Sequence, residues 1–113
     1  MKKVEVYHSK QFDRPETGFE LMAIVEVPDG LYFESVNAAL EYAYAWTNNR
    51  NGSWSVNKDS DDNLDANANV TVVWNRPDGR GHRSTSMNDR MKMDGVWYRV
   101  AGFGFDKDLE GDE

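Results

Sequence analysis

Asp94-Gly95 stands between two alternating runs, Arg90-Met-Lys-Met93 and Val96-Trp-Tyr-Arg-Val100. Asp and Gly are residues that tolerate the positive φ angles of a two-residue type I′ turn, so the pattern predicts a β-hairpin closed at that dipeptide. The turn also fixes the register. Met93 faces Val96 and Met91 faces Tyr98 on an apolar side, while Lys92 faces Trp97 and Arg90 faces Arg99 on a polar side. Lys92 is placed for a cation–π contact with Trp97. Two arginines opposite each other repel, so an acid or an anionic partner is expected nearby.

The segment feeding the hairpin, His82-Arg-Ser-Thr-Ser-Met-Asn-Asp89, reads as a tight turn. Ser86-Met-Asn-Asp89 has the spacing of a helix capping box with Asp in place of Glu. A helix there would be short before Gly95 and would waste the Met91/Met93 alternation. In the turn reading Asn88 takes a left-handed conformation and Asp89 accepts backbone amides before the strand starts.

Val4, Val6 and His8 alternate with Lys3, Glu5 and Tyr7 as a half-buried strand. Residues 11–18, with Pro15 and Gly18, read as a loop. Residues 19–27 are β-rich around Leu21-Met-Ala-Ile-Val25, a near-continuous apolar run that suits a central strand covered on both faces. Pro28-Asp29-Gly30 has the composition of a turn. Ser35 is a helix N-cap candidate, and residues 36–47 place Val36, Ala39, Leu40, Ala43 and Thr47 on one helical face. Asn48, Asn49 and Asn51-Gly52 close that helix. Tyr42 and Trp46 sit on its other side, either covered by loops or displayed for a partner. Residues 53–56 are a short strand candidate and 57–69 a polar Asn/Asp loop. Val70, Val72 and Trp74 alternate as another strand, turned back at Pro77-Asp78-Gly79. The expected architecture is α+β: a largely antiparallel sheet packed on one main helix, a single domain over residues 1–105. Residues 106–113 form an acidic tail, expected to be disordered.

One domain of 113 residues with four Trp, five Tyr and five Phe can bury a core. There is no cysteine, so disulfides and thiolate metal sites are excluded. No run approaches the ~18 apolar residues of a membrane span, and the charged first twenty residues lack a signal-peptide core. Net charge is −7, concentrated in the tail (net −4) and in residues 58–65 (net −3). The remainder is neutral, and within it residues 76–99 carry six basic side chains against three acidic. Uniform acidity would point to a nucleic-acid mimic; segregated charge instead leaves a local basic surface.

Arg83-Ser-Thr-Ser-Met-Asn-Asp89 resembles the "RSTSVGD" stretch, followed by a β-strand, of small proteins encoded by actinobacterial phages, plasmids and related mobile elements. Tyr7-His-Ser-Lys-Gln-Phe-Asp13 and the Gly102-Phe103 pair are similar to the same group. This chain carries Met87 for Val, Asn88 for Gly and Arg90 for an apolar residue. Asn is the usual substitute for Gly at positive φ, so the second change is mild. The resemblance implies a small phage or mobile-element protein working in a bacterial cytoplasm.

Catalytic and metal patterns find little support. Asp59, Asp61, Asn63 and Asp65 are spaced like half a calcium loop, but Leu64 and Val70 stand where Gly and Glu are required. His8 and His82 lack metal-binding spacing. Ser84 and Ser86 are not in a nucleophile elbow, and Gly102-Phe-Gly104 lacks the rest of a dinucleotide motif and reads as a bent strand end. Neither an enzyme nor a cofactor is expected. Arg76, Arg80, Arg83, Arg90, Lys92 and Arg99 interleave with Trp74, Trp97 and Tyr98, which allows nucleic-acid binding, although net charge opposes it. The leading expectation is a phage-encoded protein that binds and modulates a bacterial host protein, with no membrane partner. Its candidate surface is the hairpin's polar side: Arg83, Arg90, Lys92, Trp97 and Arg99. The alternative is an acidic DNA-mimic or anti-defence inhibitor acting through Asp59, Asp61, Asp62, Asp65 and the tail. A nucleic-acid-binding accessory protein is the third possibility.

Overall fold

In a computed structural model, residues 2–10, 18–30, 35–101 and 104–107 are described. They form strands β1 (Lys2–Ser9) and β2 (Phe19–Val27), helix α1 (Val36–Ala45), then β3 (Val70–Val72), β4 (Arg90–Met93), β5 (Val96–Val100) and β6 (Phe105–Lys107). The six strands make one sheet in the order β3-β2-β1-β4-β5-β6, and every neighbouring pair is antiparallel. The fold is α+β, as the alternation and the single amphipathic helix require. Most of the 11–18 loop, and the Gly102-Phe103 pair, lie outside the described residues.

Alternation explains which side of the sheet is dry. Val4 and Val6 of β1, Ala23, Val25 and Val27 of β2, Met91 and Met93 of β4, and Tyr98 and Val100 of β5 are buried together with Ala39, Leu40 and Ala43 of α1. The opposite residues face away from the helix. Between Val6 and Tyr7 the register shifts, with Val6 opposite Ala23 and Tyr7 opposite Leu21, so Met22 is the extra residue of a β-bulge. The bulge brings Leu21 back to the outward side. It also explains why the apolar run reads as a strand covered on both faces: the structure leaves Leu21 and Ile24 only half-buried.

The helix begins where Ser35 Oγ accepts the amide of Ala38 at 2.9 Å. It ends at Ala45, two residues before the periodicity suggests, yet Thr47 is still fully buried and its hydroxyl bonds back to Ala43 O at 2.8 Å. Tyr42 is covered rather than displayed: Asn67 and Asn69 donate to its hydroxyl at 2.9 and 3.1 Å.

Three sequence readings change. Residues 53–56 form no strand; Trp54 is buried through the loop, its Nε1–H donating to Arg83 O at 2.9 Å. Asp29 and Gly30 have helical backbone rather than a turn. Asp106 and Lys107, assigned by composition to the acidic tail, belong to β6, because Arg99 draws the Asp106 carboxylate to 2.9 Å across the strand pair.

Candidate functional site

The hairpin supplies the site's frame. Asp94 and Gly95 have φ of 53° and 78°, and the pairs Arg90–Arg99, Met91–Tyr98, Lys92–Trp97 and Met93–Val96 fall in the expected register. Asn88 has φ of 77°, the left-handed geometry expected for it. The turn before β4 is held from inside. The Asp89 carboxylate, 2 % exposed, accepts both guanidinium nitrogens of Arg83 at 2.7 and 2.9 Å, the amide of Ser9 at 3.0 Å and the amide of Ser86 at 2.8 Å. A bidentate pair with two further amide donors satisfies a buried carboxylate almost completely.

Beside it runs a chain of hydroxyls. Thr47 Oγ1 gives its proton to Ala43 O, so Thr85 is the donor in the 2.8 Å contact between the two threonine oxygens. His8 Nε2–H must then donate to Thr85 Oγ1, also at 2.8 Å. Burial lowers the His8 pKa to about 4; the Asp89 carboxylate, 4.0 Å away, opposes that shift, while Arg83 and His82 reinforce it. His8 is therefore neutral at physiological pH. Thr85 is 1 % exposed, so no substrate reaches its oxygen, and the cluster ties β1, the end of α1 and the 82–89 turn together. Asn49 extends the tie: its amide donates to Ser84 Oγ at 2.8 Å and its side chain to His82 O at 3.0 Å.

Above this scaffold lies the sheet face turned away from α1. It carries Phe19, Leu21, Ile24, Tyr7 and Trp97, all half-buried, together with Lys3, Glu5, Arg90, Lys92, Arg99 and Asp106. The Arg90 guanidinium lies 4.5 Å from the Phe19 ring centroid and the Lys92 ammonium 5.2 Å from that of Trp97. Trp97 packs on Tyr7 at 4.7 Å between centroids. The Tyr7 hydroxyl donates to Glu5 at 3.0 Å, and burial together with this bond raises its pKa to about 12. The Arg90–Arg99 conflict is relieved within the chain: Arg90 stacks on Phe19 and bonds to Asn88 O, while Arg99 pairs with Asp106. A groove of about 510 Å³ opens on this face between Lys3, Glu5, Ile24, Lys92, Asp94 and Gly95.

Four of the five basic-face residues thus share one surface. Arg83 does not; it turns inward to Asp89, because the carboxylate occupies a core-side position that demands a counter-charge. Period two along Asp89, Met91 and Met93 already placed that carboxylate on the core side, which is the signal that could have reassigned Arg83. The interleaved basic–aromatic set is also divided, with Tyr98 in the core and Arg76 paired to Asp78 at 2.9 Å. On the acidic loop Asp59, Asp61 and Asp62 are exposed, but Asp65 is only 7 % exposed. Its Oδ2 accepts the amides of Arg50, Asn51 and Gly52 at 2.6, 2.7 and 2.8 Å. Burial alone would raise its pKa; the three amide bonds and the Arg50 charge bring it below the ordinary carboxylate value. Three successive amides around one oxygen form an anion nest, and it consumes the carboxylate that composition assigns to the surface.

No known family model, curated protein or solved structure matches the chain.

Proposed function

We propose that this chain is a protein-binding module of phage or mobile-element origin, and that it docks on a bacterial host protein through the outward sheet face and alters that protein's activity. One observation carries the reading: the face turned away from α1 presents Tyr7, Trp97, Phe19, Leu21 and Ile24 with cations laid across the rings. Aromatic and arginine side chains on a rigid sheet make strong interface anchors, since little side-chain entropy is lost on docking. The same geometry favours a protein over a single-stranded nucleic acid. Base stacking needs open ring faces, whereas Lys92 lies over Trp97, Tyr7 packs against it, and Arg90 lies over Phe19.

The test compares wild-type protein with a Trp97→Ala, Arg99→Glu variant as baits in bacterial lysate, read by quantitative mass spectrometry. A host protein enriched by the wild type and reduced at least tenfold with the folded variant is the expected result. Equal capture by both baits places the interface elsewhere. Retention on single-stranded DNA that weakens steeply with salt would replace the protein partner with a nucleic acid.

A further inference from the structure

Asn51-Gly52, a few residues past α1, is the sole Asn-Gly dipeptide of the sequence. Such a pair readily closes on itself. The glycine amide nitrogen attacks the side-chain carbonyl carbon of the asparagine, and the missing Cβ leaves that approach unhindered. The amide hydrogen departs with the side-chain nitrogen as ammonia, and a five-membered succinimide remains. Water then opens the ring to aspartate or to isoaspartate, in which the backbone runs through one extra carbon. Both reacting groups are accessible in this chain. The Asn51 side chain is exposed and makes no hydrogen bond among the described residues, and Gly52 is exposed as well. Glycine is also required there, because a Cβ at position 52 would collide with Asn63 Oδ1. That oxygen is fixed in place, accepting the amides of Ser53 and Asp65 at 2.9 and 3.2 Å.

What restrains the reaction is Asp65. Its Oδ2 lies 2.8 Å from the Gly52 nitrogen and also accepts the Arg50 and Asn51 amides at 2.6 and 2.7 Å. Burial works against ionisation of this carboxyl, yet the three amide bonds and the Arg50 charge keep its pKa below the ordinary carboxylate value. The attacking nitrogen must shed its proton, so negative charge would develop directly against an ionised carboxylate, and like charges disfavour that state. A carboxylate with a lowered pKa is in addition a weak base and gains little by taking the proton itself. Ring closure also destroys one of the three donors, since an imide nitrogen carries no hydrogen.

We infer that Asn51 is a self-modification site latched by Asp65: it deamidates through the Gly52 succinimide when the carboxylate releases the Gly52 amide, and isoaspartate, once formed, keeps the latch open. The extra backbone carbon shifts the Gly52 amide away from Asp65 Oδ2, and the new carboxylate adds a second negative charge beside the first. The reaction consumes only water and runs in one direction, so local opening of residues 50–52 becomes a permanent covalent record. Asp65 joins the 57–69 loop to the residues after α1, and the same loop covers Tyr42 through Asn67 and Asn69. Loss of the latch therefore loosens the loop from the helix. The site uses no residue of the outward sheet face and stands apart from the docking reading.

Peptide mapping by mass spectrometry, with isoaspartate scored by its separate elution, tests this on wild type and Asp65→Asn incubated at mildly alkaline pH. Both are followed in buffer and in urea, and circular dichroism reports whether each is folded. Folded wild type should deamidate at Asn51 at least tenfold more slowly than the same protein in urea. Asp65→Asn keeps the shape and an acceptor oxygen but removes the charge, and when folded it should react at least tenfold faster than folded wild type. An unchanged rate would assign the protection to the fold and not to the carboxylate, and a slower one would make Asp65 the base that drives the reaction; either overturns the inference. If Asp65→Asn does not fold, amide hydrogen exchange on the wild type decides. The Gly52 amide should be protected, and deamidation should run no faster than its opening, whereas free exchange at Gly52 overturns the latch. Wild type converted to isoaspartate in urea and refolded should lose protection at residues 50–52. Full protection in that product would show that the modification does not hold the latch open.

Discussion

Residues 82–89 and the hairpin that follows them are adjacent in sequence and opposite in design. In the first, polar side chains turn inward: Thr85 bonds to His8 of β1 and to Thr47 just past α1, Asp89 accepts the Ser9 amide of β1, and Arg83 pairs with Asp89. In the second, polar side chains turn outward, and Lys92, Trp97 and Arg99 lie on a face that no described element covers. The contrast separates two kinds of residue-by-residue specification. A motif whose hydrogen bonds close on themselves is a structural device; a surface whose aromatics and cations remain half-exposed is where binding can occur. Four perturbations sharpen or break that contrast.

The largest effect is expected at Asp89. Replacing it with Ala leaves the Arg83 guanidinium and the amides of Ser9 and Ser86 without their acceptor, and breaking a buried pair costs about 3–5 kcal/mol. Urea denaturation reads this directly, and a loss under about 1 kcal/mol would show that the turn does not depend on the carboxylate. Acidification comes next. The unfolded chain binds a proton at His8 near pH 6.5 but the folded chain only near 4, so this contribution is complete above pH 6.5 and declines as pH falls to about 4. The slope reaches about 1.4 kcal/mol per pH unit, and His8→Gln should flatten it in that window. The Asp65 carboxylate, whose pKa is lowered, acts below that window, so its contribution is lost only at more acidic pH.

Asn88 tests the turn geometry. Asn88→Val forces a β-branched residue to φ of 77° and should cost about 1–2 kcal/mol, while Asn88→Gly should stay within about 0.5 kcal/mol of wild type, both read from thermal melts. The smallest stability effect belongs to the outward face. The Arg99–Asp106 pair is exposed, so Arg99→Ala should change unfolding free energy by no more than about 0.5 kcal/mol. A larger loss would mean that the face is part of the scaffold.

The sequence was most legible where local rules suffice. Asp-Gly chemistry and alternation located the hairpin and its register, and Ser35 marked the start of α1. It was least legible where long-range partners decide. The contacts of His8 with Thr85 and of Thr47 with Thr85 join residues 77 and 38 positions apart, which no window of periodicity can see. The apparent strand at 53–56 failed because Trp54 is buried by a loop whose amides are bonded by Asn49 and Asn63 side chains, not by a neighbouring strand. Asp65 read as surface charge because composition cannot tell a solvated carboxylate from one enclosed by amides. Arg90, Lys92, Trp97 and Arg99 share the outward face that the register implies, whereas Arg83 bonds to Asp89 instead; counting parity from Met91 back to Asp89 places that carboxylate on the core side.

The central claim is that the outward hairpin face binds and the 82–89 turn only supports it. Measuring unfolding free energy and host-protein capture on the same preparations of wild type and the Trp97→Ala, Arg99→Glu variant tests it most directly. A cooperative melt close to wild type combined with at least tenfold loss of capture is the predicted result. Undiminished capture by a folded variant would contradict it.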